Sequence, residues 1–456
     1  MSSRRAFDFI IYGATGFAGK HVVKHLLHNH PEIKFAIAGR NHTKLTQLAS
    51  ELSTSESKIE PSQILVASST NKEELISILS QATVCLACAG PYRHVGRNIV
   101  EAAIESQTDY LDLCGEPQFF DDMLTSFEGK ARQQNVIVMS ACAFDCVPSE
   151  ICYHYASNEL KKKYTTTDVT NVEIVHTFQN VTKANATTFH AAVDGFHASY
   201  TGELKSSREN VKKIFPQLKS ILTRSKQRPE NWKKLIAFPS LTSPMYHSPT
   251  DSYLLKFVGA DASCILASDR YVRLRHDEQQ QQSQQSSSSS LPPSPHLSVS
   301  LSIPQKSTAY SFLAYGAVFS TLARWSWGVN LLHSKPEFFT NGTFTSIPPT
   351  QDELKDATFT TYGTAYGLTK EECVRVKFSG GEPGYVATSA MMVALALTVL
   401  HHRDSLTYTS GVMLPGAALK DCKEVYHLLR QEGLEIEVLP DVEEGETKSS
   451  NENELA

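Results

Sequence analysis

Residues 7–19 read FDFIIYGATGFAG, and their interpretation decides the architecture of the first third of the chain. FDFIIY (7–12) is a short apolar run closed by glycine, the pattern of a strand buried on both faces of a parallel sheet. Gly13, Gly16 and Gly19 follow with G-x-x-G-x-x-G spacing, and Val22, Val23, Leu26 and Leu27 behind them share one helical face. The first glycine permits the tight turn, the second lets backbone approach a pyrophosphate, and the third allows close helix–strand packing. The helix N-terminus supplies partial positive charge. Gly13, Ala14, Thr15, Gly16, Phe17 and Gly19 are therefore a candidate dinucleotide-binding turn, the alternative being a glycine turn without a ligand.

The pattern continues outward from this turn. Short apolar runs at 35–38, 64–67, 84–89, 109–113 and 136–139 alternate with helical periodicity, including a capping-box signature at Thr70–Glu73 and helices over 95–104 and near 119–132. Strands and helices alternating at this spacing predict an α/β fold, a Rossmann doubly wound parallel sheet with right-handed crossovers. At the end of the second strand stand Arg40 and Asn41, where NAD-binding chains carry an acid for the ribose hydroxyls. A guanidinium there suits a 2′-phosphate, so the expected cofactor is NADP rather than NAD.

Ligands of parallel sheets bind at the carboxyl ends of the strands. The fourth strand leads to Gly90-Pro91-Tyr92-Arg93-His94, read as a loop beside the nicotinamide half of the cofactor. Gly90 and Pro91 border the cofactor, Tyr92 is a candidate proton donor, and Arg93 or His94 can polarise a carbonyl or hold a carboxylate. The alternative is a plain turn with Tyr92 packed. Glu116 and Asp145 each follow a strand; Asp145 serves equally well as a cap for a helix beginning near Pro148. No Ser–His–Asp arrangement, P-loop or metal spacing is legible. Cys85 and Cys88 lie inside an apolar run and read as buried strand.

Composition bounds the rest. The 456 residues hold 43 Lys and Arg against 48 Asp and Glu, a net charge of −5. Residues 441–456 contain six acids and one lysine, so the tail carries the whole imbalance and the body is neutral. A chain without a basic footprint is not expected to take nucleic acid as its main partner. Nine scattered cysteines without a secretory signal predict a reducing, intracellular setting, the cytoplasm or the surface of a lipid droplet or membrane. The expected organisation is a dinucleotide-binding domain over 1–145, a second α/β domain over 146–385 with a disordered Gln/Ser insertion near 277–296, C-terminal helices over 386–440, and a disordered acidic tail over 441–456. Residues 309–332 carry Arg324 as their one charge, together with Trp325 and Trp327. They fit a core helix, an interfacial segment or a membrane span.

Taken in order, YGATGFAG (12–19), AGR (38–40), GPYRHVG (90–96), YLDLCGE (110–116), AFDCVPSE (143–150), GGEPGYVATSAMMV (380–393) and GVMLPGAAL (411–419) resemble the saccharopine dehydrogenase-like oxidoreductase family. The resemblance implies a Rossmann domain, an inserted α/β domain and C-terminal helices that pack back on the first. It implies an NAD(P)-dependent oxidoreductase acting on a lipid-linked or other apolar substrate, because relatives include trans-acting enoyl reductases of complex-lipid synthesis and lipid-droplet proteins. A non-catalytic dinucleotide-binding protein of droplets or membranes is the rival expectation. Cys146 stands where the family often carries a serine.

Overall fold

The structure is a computed structural model and describes residues 5–54, 58–144, 146–165, 167–236, 238–283 and 291–441. The first sheet contains β1 (Phe7–Tyr12), β2 (Phe35–Gly39), β3 (Ile64–Val66), β4 (Ala82–Ala87), β5 (Asp109–Asp112) and β6 (Ile137–Met139). Next along the chain come β7 (Asn171–Gln179), β8 (Ala184–Asn185), β9 (Met245–His247), β10 (Ser252–Lys256), β11 (His296–Ile303), β12 (Phe344–Thr345), β13 (Thr358–Tyr366) and β14 (Cys373–Gly380). β15 (Gly411–Met413) and β16 (Glu435–Val438) close the series. The first sheet is wholly parallel, in the order β15-β6-β5-β4-β1-β2-β3. Its strand order reverses between β1 and β4, which opens a crevice at their carboxyl ends. This is the doubly wound Rossmann arrangement, extended at one edge by a strand from the C-terminal part of the chain.

The second sheet has the order β16-β14-β13-β7-β11-β10-β9 and is antiparallel except where β7 pairs with β11. Helix Val147–Lys163 connects the two sheets and packs on β13 and β14. The chain returns through helix Thr388–His401, which lies against helix Phe17–Asn29 and β4. The run Pro383–His401 has a mean hydropathy of 1.6 and is 83% buried, so its apolar surface is used inside the protein. Each fully enclosed Leu, Val or Met there contributes about 1.5–3 kcal/mol.

Several local expectations are corrected. Tyr92, Arg93 and His94 form the first turn of helix Tyr92–Glu105 rather than a loop, because Pro91 in extended conformation starts the helix three residues early. The capping residue near 70 is Asn71, whose side chain accepts the Glu74 N–H at 3.2 Å. Residues 277–283, expected in the Gln/Ser loop, complete helix Asp261–Ser283; 284–290 and 442–456 lie outside the described residues. Cys146 and Cys264 are joined as a disulfide, against the expectation of reduced cysteines throughout.

Residues 309–332 are not a core helix. They form helices Lys306–Leu322 and Ser326–Ser334, broken at Ala323–Trp325. Only Ala309 of the first helix is buried. The hairpin is pinned at its bend: Ala323 and Leu332 pack with Phe189 and Val193, and the Ala323 carbonyl lies 2.9 Å from His197 Nδ1. A Cβ on Gly328 would approach the Leu322 carbonyl oxygen to 2.2 Å, so glycine permits the tight bend.

Candidate active site

β1 delivers the chain to Gly13, whose φ of +83° and amide bond to Ala38 O (2.8 Å) set the turn. A Cβ at Gly13 would stand 2.8 Å from Ala89 N, and one at Gly19 2.4 Å from Gly13 O. The turn is thus pressed against the end of β4 on one side and its own helix on the other. Gly16 caps helix Phe17–Asn29 without a side-chain hydrogen bond. The first-turn N–H groups, left without a capping side chain, make a natural cradle for a pyrophosphate. Thr15, Gly16 and Phe17 line the adjoining cleft, while Ala14 and Gly19 are buried beneath it.

Arg40 lies at the same cleft, immediately after Gly39 at the end of β2. Asn41 instead caps helix His42–Leu52, its side chain accepting the Lys44 N–H at 3.0 Å. Gly90 lines the cleft, whereas Pro91 is exposed at the start of its helix.

The cleft has a volume of ≈ 1000 Å³ and extends without interruption from the glycine turn into an apolar chamber. Phe144, Phe178, Phe257, Ile303, Phe312 and Phe344 form its far wall. The Phe144 ring is 4.8 Å from Phe359 in an edge contact and 5.5 Å from Phe178, which holds it in place. The polar side chains of the chamber include Asn180, Asn185, Thr388, Glu382 and Tyr385, together with hydroxyls such as Thr182, Thr187 and Thr308. Glu382 is buried and accepts the N–H groups of Gly384 and Tyr385, both at 2.7 Å. Burial holds its carboxyl above the usual value against the pull of these bonds. Tyr385 packs on His21 at 5.2 Å and Phe17 at 6.3 Å, and burial pushes its phenol up to about 12. Burial, with Lys24 and Lys20 nearby, lowers His21 to about 4, so this ring is neutral at pH 7.

Of the catalytic candidates, the described residues place Tyr92 and Arg93, and each is engaged with a different partner. Tyr92 borders the cleft, but its hydroxyl donates to Ala87 O at 2.8 Å and accepts the Leu113 N–H at 3.2 Å. Its single proton is already used, and burial raises its pKa well above 10. Arg93 turns to Glu116, with Nε 2.6 Å from the carboxylate, and neither side chain lines the cleft. His94 is exposed on its helix. Asp145 lies outside the described residues.

A further arrangement was invisible in sequence order. Ser149, His176 and Asp261 meet in the core: Ser149 Oγ lies 3.1 Å from His176 Nε2 and donates to Asp261, while Nε2 is 3.2 Å from that carboxylate. His176 Nδ1 is 2.9 Å from Thr361 Oγ1. All three side chains are enclosed, behind the wall formed by Phe144, Phe178 and Phe257. No substrate reaches Ser149 in this arrangement. The trio locks helix Val147–Lys163, β7 and the start of helix Asp261–Ser283 together, beside the Cys146–Cys264 bond.

Comparison with known proteins agrees with this geometry. Residues 9–139 match the family model described as the saccharopine dehydrogenase NADP binding domain, in line with the NADP expected from Arg40. The chain is 26% identical to the saccharopine dehydrogenase-like oxidoreductase of Rattus norvegicus over 96% of its length and 98% of that relative. It is 25% identical to a lipid droplet localized protein of Caenorhabditis elegans, covering 94% and 97% of the two chains. Among solved structures, apo saccharopine dehydrogenase (L-Glu forming) from Saccharomyces cerevisiae shares the fold, with a TM-score of 0.52 at 11% identity over 95% of this chain and 100% of that one.

Proposed function

We propose, from the premise that this chain belongs with the saccharopine dehydrogenase-like oxidoreductases, that it is an NADP-dependent oxidoreductase acting on an apolar, lipid-linked substrate. The observation that carries this reading is the continuity of the cleft: a dinucleotide cradle at one end and a chamber of aromatic side chains at the other. NADPH bound at the cradle supplies the hydride. The protein's own part is to hold and to exclude water. The first-turn amides after Gly16 face the pyrophosphate, Arg40 pairs with the 2′-phosphate, and Gly90 admits the nicotinamide end. The phenylalanine wall takes an acyl or polyprenyl chain, for which it offers contact area without polar groups to leave unpaired. Tyr385 is the phenol of the cleft that remains for a proton donor once Tyr92 is set aside, since the Thr388 hydroxyl already donates to Pro383 O at 2.8 Å.

Binding of NADPH and NADH, followed by fluorescence, tests the cofactor half. Arg40→Glu is expected to weaken NADPH by about 10–100-fold, the size of a lost charge-assisted hydrogen-bond pair, and to leave NADH within about threefold. Equal loss for both cofactors overturns the role of Arg40, and failure of the parent protein to bind either cofactor overturns the reading itself.

The substrate half includes a lipid surface as the source. From Lys306 to Pro336 the chain carries Lys306, Arg324 and Lys335 and no acid. Its exposed hairpin presents Tyr310, Phe312, Tyr315, Trp325 and Trp327 to solvent, the two tryptophans at 56% and 62% exposure. Aromatic and cationic groups together suit the headgroup region of an anionic phospholipid layer. Phe312 belongs both to this surface and to the cleft wall, so a lipid tail leaving the layer has a short path inward. Trp325→Glu with Trp327→Glu is expected to cut co-flotation with anionic vesicles at least tenfold while leaving the melting temperature in place, since neither ring is buried. Unchanged flotation removes the hairpin from the proposal.

The second reading, a dinucleotide-binding protein of lipid surfaces without turnover, is favoured by the engaged hydroxyl of Tyr92 and the Arg93–Glu116 pair. NADPH oxidation assayed across enoyl and keto lipids separates the two: tight binding with no turnover on any of them selects the second.

A further inference from the structure

Helix Phe17–Asn29, which begins at the glycine turn, ends in a group of side chains that the dinucleotide chemistry does not use. His25 lies in its last turns and His30 just past its end. Facing them is Glu432, which follows helix Glu424–Gln431. His25 Nε2 is 2.6 Å from Glu432 Oε2, and His30 Nε2 is 2.9 Å from Oε1. One ligand atom from each of the three lies within 4.8 Å of the others. The Glu432 carboxylate is 2% exposed and each histidine 14%, so the group is enclosed yet reachable at one edge.

Two features go beyond an ordinary ion pair. A single carboxylate faces two imidazole Nε2 atoms, which gives two nitrogen donors and one oxygen donor converging on one point. The other nitrogen of His30, Nδ1, is 3.2 Å from Glu32 Oε1. With a carboxylate at each ring nitrogen, both nitrogens of His30 donate; once Nε2 gives up its proton to a metal, the Glu32 contact keeps the remaining proton on Nδ1, the arrangement around metal-bound histidines.

We propose that His25, His30 and Glu432 form a zinc site, with His30 oriented by Glu32 and the fourth position left to water. Two imidazoles and one carboxylate are a donor set that zinc accepts in tetrahedral geometry. Binding releases the Nε2 protons to solvent and replaces the His25–Glu432 and His30–Glu432 hydrogen bonds with three bonds to the metal. The position explains what the metal would do. Glu432 leads through Gly433 and Leu434 into β16, which is hydrogen-bonded to β14 of the second sheet. Zinc there ties the cofactor-binding helix of the first sheet to the last strand of the second, across the two layers that enclose the cleft. The ligands are about 400 residues apart in sequence (His30 and Glu432 are separated by 402 positions), so no spacing motif announces them.

The full chain, stripped with a chelator and titrated with Zn²⁺, provides the test by calorimetry and thermal denaturation. The expected result is one equivalent bound and a rise in melting temperature that the chelator reverses. His25→Ala keeps the His30–Glu432 contact and the fold, and Glu432→Gln keeps the volume; each is expected to raise the dissociation constant at least tenfold and to abolish the thermal gain. Glu32→Gln, at an exposed side chain, is expected to weaken zinc by about tenfold through the outer contact alone. Cobalt(II) substituted for zinc is expected to show visible d–d absorption without a thiolate charge-transfer band. No zinc bound by the parent chain, variants that bind as the parent does, or a thiolate band that assigns the metal to cysteines would each overturn the site and leave a hydrogen-bonded clamp in its place.

Discussion

Gly19→Ala is expected to abolish measurable NADPH binding at micromolar protein and to destabilise the fold by about 1–3 kcal/mol, the range for inserting a methyl group into closed packing. The added carbon would meet Gly13 O at 2.4 Å and Ala14 Cα at 2.9 Å. Both contacts are backbone, so relief requires the helix and turn to separate. That separation would move the amides proposed to hold the pyrophosphate. Gly13→Ala acts through a different cause. Its φ of +83° disfavours a side chain by about 1–2 kcal/mol, and its Cβ would also press on Ala89 N and Cβ at 2.8 Å. A loss of NADPH affinity of about 100-fold or more is expected there. Gly129→Ala is the control: it lies inside helix Pro117–Gln133 with nothing within 4 Å of the added carbon. It should be neutral or stabilise by up to about 1 kcal/mol. If Gly19→Ala binds NADPH like the parent, the turn is not the cofactor cradle.

The second large effect concerns Asp112, at the carboxyl end of β5 and fully buried. Its carboxylate accepts the N–H groups of Cys114 (2.9 Å) and Ala141 (3.0 Å) and the Ser140 hydroxyl (2.9 Å). Ala141 holds a left-handed conformation at φ 65°, so Asp112 also secures an unfavourable turn beside the cleft wall. Asp112→Ala leaves three buried donors unpaired and is expected to cost about 3 kcal/mol or more. Asp112→Asn retains acceptor oxygen and should cost about 1 kcal/mol.

The charge on Asp112 has its own signature. Burial raises its pKa from 3.8 to about 6, against the backbone bonds that pull it down. Between these values the folded chain keeps a proton that the unfolded chain has released. Stability from this group is therefore full below about pH 3.8 and falls as pH rises to about 6, by roughly 3 kcal/mol in all. Glu150, raised by burial from 4.5 to about 7, acts in the same direction. Glu432, held down at about 2, acts oppositely, and its contribution is lost as pH falls below about 4.5. Thermal denaturation is expected to show greatest stability in mildly acidic buffer, and Asp112→Asn to flatten the decline between about pH 4 and 6. A decline of undiminished slope in that variant would remove Asp112 as its source.

How much of the site was legible depended on how local its cause was. The glycine turn, the strand before it and Arg40 at the end of β2 lie within 34 positions of one another, from Phe7 to Arg40, and each is explained by its own neighbourhood. Tyr92 shows the limit. The spacing placed it correctly after β4, but the partner of its hydroxyl depends on Ala87 and Leu113, which belong to two adjacent strand ends. Residues 309–332 show another limit: their hydropathy fits a core helix, and only the packing reveals that one residue of helix Lys306–Leu322 is buried.

Periodicity and glycine spacing were enough for the parallel sheet and the tight turn after β1, and Arg40 in place of an acid was enough for the choice of NADP, because backbone conformation, helix polarity and a strand-end side chain act over a few residues. The aromatic chamber draws on positions from 144 to 344, the buried trio on 149, 176 and 261, and the zinc ligands on 25, 30 and 432. Those groups exist through side-chain contacts between elements distant in the chain. Such contacts follow from how two sheets and a returning C-terminal segment bury their surfaces against one another, and no local pattern of residues encodes them.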